Sequence, residues 1–441
     1  MPYDAMRPPT GSADRGDMMS AASSSPDPAP PGPDGHTAFL LHWFPKPSET
    51  FIFDELSLLR RWGVPMSVIS LYGRHPGPFA GSAAGDGGIP VHRLGVRALG
   101  RIARDAARAA ASDPAARRLW GTVPGHRWPD LEMAGENAWA FLCGFHIARL
   151  ARERGVTHLH ACWASGPATA AWVASRLTGI PFSFTAWAGD IFPPDGALPA
   201  KIRDSAFVRS TSETFAGHLR TQAGPHADRV RVVRNGQDAS RFPAARPFDR
   251  PGLRLLAMGR FVPKKGFVHA LDAAARLAAE GVDFSLTLAG AGPGAGSLRR
   301  RAIALGLGDR VRFPGWMPRE GAGSCHLEAD ILLLPSVVDA AGDRDGIPNV
   351  VMEAMLHELP VIASDVGAVR ELVRHRETGL LVPPGDPAAL AGAIRDLPAR
   401  PDEARAMAAR GSEWVRRHFD LATNCRRFLD LFATRPEAVH A

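Results

Sequence analysis

Short apolar runs alternate with amphipathic stretches along most of the chain. TAFLLHWF, from Thr37, is bulky enough for a buried strand, PKPSET is a turn, and FIFDELSLLRRWG has helical spacing. Phe51, Leu56 and Leu59 suit the inward face of that helix, and Ser48 suits its N-cap. MSVISLYG predicts the next strand and residues 74–88 a loose Gly/Pro loop. A basic helix is expected after it, with Arg93, Arg97, Arg101, Arg104 and Arg108 on one stripe and Leu99, Ile102 and Ala106 turned away. A further helix spans residues 132–154. THLHACWAS then reads as strand and turn, SGPATAAWVASRLTG as helix, and IPFSFTAW as a strand ending in the loop AGDIF.

SAFVRSTSETFAGHL gives another strand and helix, and DRVRVVRNGQDASRF a strand closed by an Asn235-Gly236 turn. The Pro/Arg-rich residues 242–252 read as a linker. Alternation then restarts with LRLLAMG, KGFVHALDAAARLAAEG and FSLTLAG, and continues through ADILLLPSV, LPVIASDVGAVREL and TGLLVPPGDPAAL to final helices over residues 401–433. Repeated βα units of this kind predict α/β architecture with parallel strands. The expected division is a disordered tail over residues 1–35, one domain over 36–240, a second over 241–420, and a closing helix and tail over 421–441.

Composition narrows the picture. A chain of 441 residues, 45% hydrophobic, can fill two cores. The formal charge of +7 suggests nucleic acid at first sight, but only Lys46, Lys201, Lys264 and Lys265 are lysines among 52 basic residues. Arginine-rich bias explains the charge, and no nucleic-acid partner is expected. Pro26, Pro28, Pro30, Pro31 and Pro33 amid Ser, Asp and Gly mark the tail as disordered rather than as a secretory signal, and Met18 or Met19 can serve as the start. The four cysteines fall into no ligand pattern, and no run reaches the roughly 18 apolar residues of a spanning helix. A cytoplasmic protein is expected. The arginine stripe is either a solvated face or a seat on anionic lipid head groups, which would place the protein at the inner face of the plasma membrane.

The chemistry gathers around DGIPNVVMEAM, Asp345 to Met355. Pro348 suits the first position of a helix, where its missing N–H costs nothing. The amides of Asn349, Val350 and Val351, at the positive end of the helix dipole, would then form a ready phosphate site. Glu353 lies just over one turn further in. An acid there repels phosphate unless it accepts hydrogen bonds from hydroxyls of the same ligand, such as a sugar or ribose; otherwise it is simply a favourable first-turn acid. Asp345, in the loop before the helix, can reach another part of that ligand. GRFVPKKGF brings Arg260 and Lys265 to the same mouth, and two cations beside helix amides suit a diphosphate leaving group. A solvated pair at a helix start is the plain alternative. GAGPGAGSL lacks the sixth-position glycine of a dinucleotide fingerprint, and its glycines, Gly292 among them, instead let backbone approach a ligand or a neighbouring loop. No acidic cluster resembles a divalent-ion site, so no metal or other cofactor is expected.

On these residues the chain resembles the retaining glycosyltransferases of the GT-B fold, family 4. DGIPNVVMEAMLHELPVIASDVGAVRELV is similar to their signature, in which two acids flank the donor site; the first is usually Glu and here is Asp345. FPKPSETFIFDEL and HLHACWASGPATAAWVASRLTGIPFSFTAWAGDIF resemble the subgroup that builds exopolysaccharides and colanic-acid-type polymers. The resemblance implies two Rossmann-like βα domains facing across a cleft, a nucleotide-sugar donor in the second, and a saccharide or lipid-linked saccharide acceptor in the first. Arg260 and Lys265 would hold the diphosphate, Ile347, Pro348, Asn349, Val350 and Gly292 would line the donor site, and Trp316 or Met317 would wall the base, an ordinary buried tryptophan being the plain alternative for Trp316. Ser48, Glu49, Thr50 and Trp187 would lie on the acceptor side, with Asp190, Asp345 and Glu353 as the acids at the reaction. Two departures stand out: Cys162 replaces one usual histidine, and Trp187 replaces the histidine that borders the reacting sugar. A nucleotide-sugar epimerase of the same fold and a non-catalytic partner in polysaccharide assembly are the rival readings.

Overall fold

The computed structural model describes residues 35–75, 86–122, 126, 128, 130–192, 195–245 and 247–433. All but one residue of the expected disordered tail therefore lies outside the described residues. The first sheet holds β1 (His36–Leu41), β2 (Met66–Ser70), β3 (Val91–Arg93), β4 (Val156–Ala161), β5 (Phe182–Ala186), β6 (Val208–Ser210) and β7 (Val230–Val232), in the order β3-β2-β1-β4-β5-β6-β7. The second holds β8 (Leu253–Met258), β9 (Phe284–Ala289), β10 (Val311–Gly315), β11 (Ile331–Leu334), β12 (Val361–Ser364) and β13 (Leu380–Val382), in the order β10-β9-β8-β11-β12-β13. All strand pairs are parallel. This is the expected pair of Rossmann-like domains. The central strands are buried on both faces, as parallel sheets covered by crossover helices must be.

Each sheet reverses its winding once, between β1 and β4 in the first and between β8 and β11 in the second. Ligands of open α/β sheets bind beyond the carboxyl ends of strands at such a reversal, so the topology nominates the loops after those four strands.

Several sequence expectations are corrected. The helix Thr50–Arg61 takes Glu49, not Ser48, as its N-cap, and Glu49 makes no side-chain cap bond because Lys46 claims its carboxylate at 2.5 Å. Arg93 ends β3, and Arg97 lies in a short 3-10 turn, Val96–Ala98; only Arg101, Arg104 and Arg108 share the helix Leu99–Ser112. Leu99, the first residue of that helix, is exposed, whereas Ile102 and Ala106 are buried as expected. The Asn235-Gly236 pair makes no turn. It runs extended beside the segment that crosses back from the second domain: Gln237 N–H donates to Phe419 O at 2.8 Å, and Leu421 N–H donates to Gln237 O at 3.1 Å. Glycine serves there for its missing Cβ, which would lie 2.5 Å from the Leu421 Cα.

The helix Leu421–Ala433 packs on the first domain. Leu421, Cys425, Phe428 and Leu429 share a core with Phe39, Leu41, Ile52 and Leu56, and the buried Arg209 guanidinium lies 4.3 Å over the Phe428 ring while pairing with Glu55 at 2.8 Å. Other links join the domains. Arg319 of the second binds Asp54 of the first through two hydrogen bonds, of 3.0 and 2.5 Å. Glu371 of the second caps the helix Glu213–Ala223 of the first, accepting from Glu213 N–H at 3.1 Å and Thr214 N–H at 2.8 Å.

Candidate active site

At the reversal of the second sheet, the loop after β8 carries Arg260 and a 3-10 turn, Pro263–Lys265. Lys265 Nζ lies 2.9 Å from each Asp345 oxygen, and Ser336 Oγ donates to Asp345 at 2.5 Å. Burial pushes the Asp345 carboxyl up, but Lys265 and the Ser336 hydroxyl outweigh it and hold it below the ordinary range. Asp345 is thus the anchor of Lys265 in the ligand-free protein. An ammonium has three N–H groups, and with two on Asp345 one remains for a ligand oxygen. Arg260, in the same loop, is exposed, and its side chain makes no hydrogen bond or ion pair among the described residues.

The helix of the signature runs Asn349–Leu356 with Pro348 as its N-cap, one residue later than the sequence expectation. The Val351 amide is not free, because it donates to Pro348 O at 3.0 Å in a tightened first turn. The amides of Asn349 and Val350 find no acceptor among the described residues and keep the anion-binding character of a helix start. The Asn349 side chain accepts from Asn235 Nδ2 of the first domain at 2.9 Å, and Ile347 packs against the cores of both domains. Glu353 is partly open by area, yet protein surrounds its carboxyl and no described group hydrogen-bonds to it. Burial lifts it to about 7, with Arg319 pulling down and Asp54 pushing up. A carboxyl left this way is ready to accept or share hydrogen bonds with a ligand hydroxyl.

Gly292 faces protein, not open space. A Cβ there would lie 2.8 Å from the Phe261 backbone, and that close approach lets Phe261 N–H reach Ala291 O at 2.9 Å, bracing the Arg260 loop. Trp316 follows β10 and is 41% exposed, so it is not a core tryptophan.

At the reversal of the first sheet, Ser48 is exposed, Thr50 is half-buried, and Glu49 is buried against Lys46. Trp187 donates from Nε1 to Cys162 O at 2.8 Å and packs 4.7 Å from Phe51, so Trp187 and Cys162 touch each other. Asp190 is buried and accepts from the backbone N–H of Ser165 at 3.2 Å and of Trp187 at 3.1 Å, bracing the loops after β4 and β5. Burial raises its carboxyl to about 6 against those hydrogen bonds. Fully buried Lys201 steadies the same loop by donating to the carbonyls of Ala164 at 2.8 Å and Ser165 at 3.1 Å.

The sequence reading singled out neither His42 nor Glu136. They form a hydrogen-bonded pair of 2.9 Å, and Ser165 Oγ lies 3.5 Å from His42 Nε2. Burial pushes Glu136 up, but hydrogen bonds from His42, the Gly166 N–H and Ser165 bring it down to about 2. The signal lay in TAFLLHWF, whose last letters were read as strand. The strand stops at Leu41 because its neighbours β2 and β4 end at Ser70 and Ala161, and His42 is thereby delivered to the carboxyl edge.

Two parallel βα domains, each with a polar mouth at its winding reversal, define the GT-B glycosyltransferase architecture. Residues 240–414 match the family model described as glycosyl transferases group 1. Over 182 residues it is 37% identical to the amylovoran biosynthesis glycosyltransferase AmsK of Erwinia amylovora, covering 41% of this chain and 44% of that one. It is 32% identical over 248 residues to a GDP-mannose-dependent alpha-(1-6)-phosphatidylinositol monomannoside mannosyltransferase of Mycolicibacterium smegmatis, covering 54% of this chain and 65% of that one. The chain spans about half the length of the curated relatives it matches first. The structure of Anabaena HepE in complex with UDP-glucose shares the fold over 91% of this chain and 100% of that one, with TM-score 0.69 and 19% identity.

Proposed function

We propose that this chain is a retaining glycosyltransferase that moves a sugar from a nucleotide-sugar to a saccharide acceptor, lipid-linked, in the assembly of a cell-surface polysaccharide. The observation that carries the reading is that the loops at one sheet reversal bear Lys265, Arg260, the amides of Asn349 and Val350, and Glu353, with those amides and the Glu353 carboxyl lacking a hydrogen-bond partner among the described residues. Diphosphate charge would be met by the cations and amides, and sugar hydroxyls by Glu353. Amylovoran biosynthesis in the name of AmsK supports the polysaccharide setting.

In the reaction, the bond between the anomeric carbon and the diphosphate oxygen breaks, and the acceptor oxygen bonds to that carbon on the face being vacated. The departing phosphate oxygen takes the acceptor's proton, so Trp187 in place of a histidine removes no required base. Its indole, fixed by Cys162 O, walls the sugar instead. With positive charge already supplied by protein groups, the transfer needs no metal ion.

The first domain's edge supports a place at the inner face of the plasma membrane. Val96 is 84% and Leu99 47% exposed next to Arg97, Arg101, Arg104 and Arg108, a layout suited to anionic lipid. No helix among the described residues is long and apolar enough to cross a membrane. A thermal-shift screen of nucleotide-sugars identifies the donor, because a ligand that binds the folded state raises its apparent stability. NMR of the product's anomeric centre then tests retention. An inverted product overturns the mechanism, and donor binding without turnover on any acceptor favours a non-catalytic assembly partner.

A further inference from the structure

The reversal point of the first sheet is lined in a way the donor chemistry does not use. Trp43, Tyr72 and Trp163 each stand two residues past a strand end, after β1, β2 and β4. Trp43 and Tyr72 stack with centroids 4.8 Å apart, and His42 lies 5.9 Å from Tyr72 and 6.1 Å from Trp163. All three rings remain partly exposed, whereas Trp172, a core tryptophan of the same domain, is 1% exposed. Hydrogen-bonding groups sit among them: the His42–Glu136 pair and the indole Nε1 of Trp163, a buried donor with no partner among the described residues. An unpaired buried donor is a cost that a ligand oxygen relieves.

We propose that this aromatic shelf seats the acceptor's terminal sugar, and that the sugar is an uncharged hexopyranose. A pyranose ring has an apolar C–H face that lies well on an indole or phenol ring, and a rim of hydroxyls that suits Trp163 Nε1, His42 and Glu136. A phosphorylated head group fits poorly. The cation at the shelf, Lys46, is engaged by Glu49 at 2.5 Å while lying 5.5 Å over Trp43 and 5.9 Å over Trp163, and Glu136 adds negative charge. The inference rests on the glycosyltransferase reading and names the class of its acceptor end.

The test uses the full chain. Methyl α- and β-pyranosides of glucose, galactose, mannose and fucose, with the 6-phosphates of the first three, are titrated by ligand-observed saturation-transfer NMR, and UDP and GDP are titrated in parallel by calorimetry. At least one neutral pyranoside binds, with saturation concentrated on its ring C–H protons. Trp43→Ala weakens that binding about tenfold, the scale of one aromatic contact, and Trp43→Phe largely preserves it. Trp163→Phe, which keeps a ring but removes the unpaired N–H, weakens it without changing the far-ultraviolet circular dichroism. Nucleotide affinity stays unchanged in all three variants. Failure of every neutral pyranoside to bind, tighter binding of the phosphates, or full pyranoside affinity in Trp43→Ala overturns the shelf. Pyranoside binding with no UDP or GDP binding in the wild type overturns the donor reading and leaves the shelf standing.

Discussion

Replacing Glu353 by glutamine should stabilise the ligand-free protein while weakening its hold on the donor. The wild-type carboxyl is lifted from 4.5 to about 7, chiefly by burial, and has no hydrogen-bond partner among the described residues. At about 1.4 kcal/mol per tenfold, that lift corresponds to about 3 kcal/mol for the ionised form, which partial exposure reduces to about 1–3 kcal/mol. The direction follows from linkage. Below pH 4.5 the group is protonated whether folded or unfolded and costs nothing; between 4.5 and 7 the unfolded chain ionises first; above 7 the full penalty applies. Glutamine removes the charge and so the penalty. Thermal melts at pH 5 and pH 8 should therefore show the variant melting higher than wild type by about 2 °C or more at pH 8, with little difference at pH 5. Calorimetry should show weaker nucleotide-sugar binding in the same variant. A variant less stable than wild type at pH 8, or a gain of equal size at both pH values, would refute the claim that burial of this carboxyl is the cause.

Lys265→Ala should weaken nucleotide diphosphate binding by about 1.5–3 kcal/mol, the scale of one charge-assisted hydrogen bond, and should also lower the melting temperature by stranding Asp345. Adding Asp345→Asn should restore the melting temperature but not the affinity; unchanged affinity in Lys265→Ala would remove that residue from the donor site. Asp54→Ala deprives Arg319 and Arg241 of their shared partner, so small-angle scattering should report a more open particle, and an unaltered scattering curve would show that other links set the domain spacing. Chelator should leave the transfer rate within about twofold, since Arg260, Lys265 and the helix amides supply the positive charge; a strict need for a divalent ion would mean that the diphosphate is held differently.

The alternation of apolar runs was enough to read two parallel βα domains, because strands buried on both faces leave an unmistakable record in the sequence. Prediction was weakest at the strand ends. TAFLLHWF and MSVISLYG do not show where ladder pairing stops, so His42, Trp43 and Tyr72 read as strand although they stand at the sheet's edge. Hydrophobicity alone cannot tell a ring that fills a core from one that faces a ligand. The glycine of Asn235-Gly236 misled for another reason: it permits close contact with Leu421, a residue far away in sequence. Ion pairs such as Lys265 with Asp345 and Arg319 with Asp54 were also beyond reach, since their partners meet only through the topology.

The return of the helix Leu421–Ala433 to the first domain also bears on how the molecule is made. As the chain leaves the ribosome, Phe39, Leu41 and Leu56 emerge early, but the residues that cover them, Cys425, Phe428 and Leu429, come nearly a whole chain later. Domains generally fold in order of synthesis, yet here the earlier one stays unfinished while the later one assembles. Apolar surface on the early half is therefore open to chaperones for most of translation. A product released before residue 421 would leave Phe39, Leu41 and Leu56 without that cover.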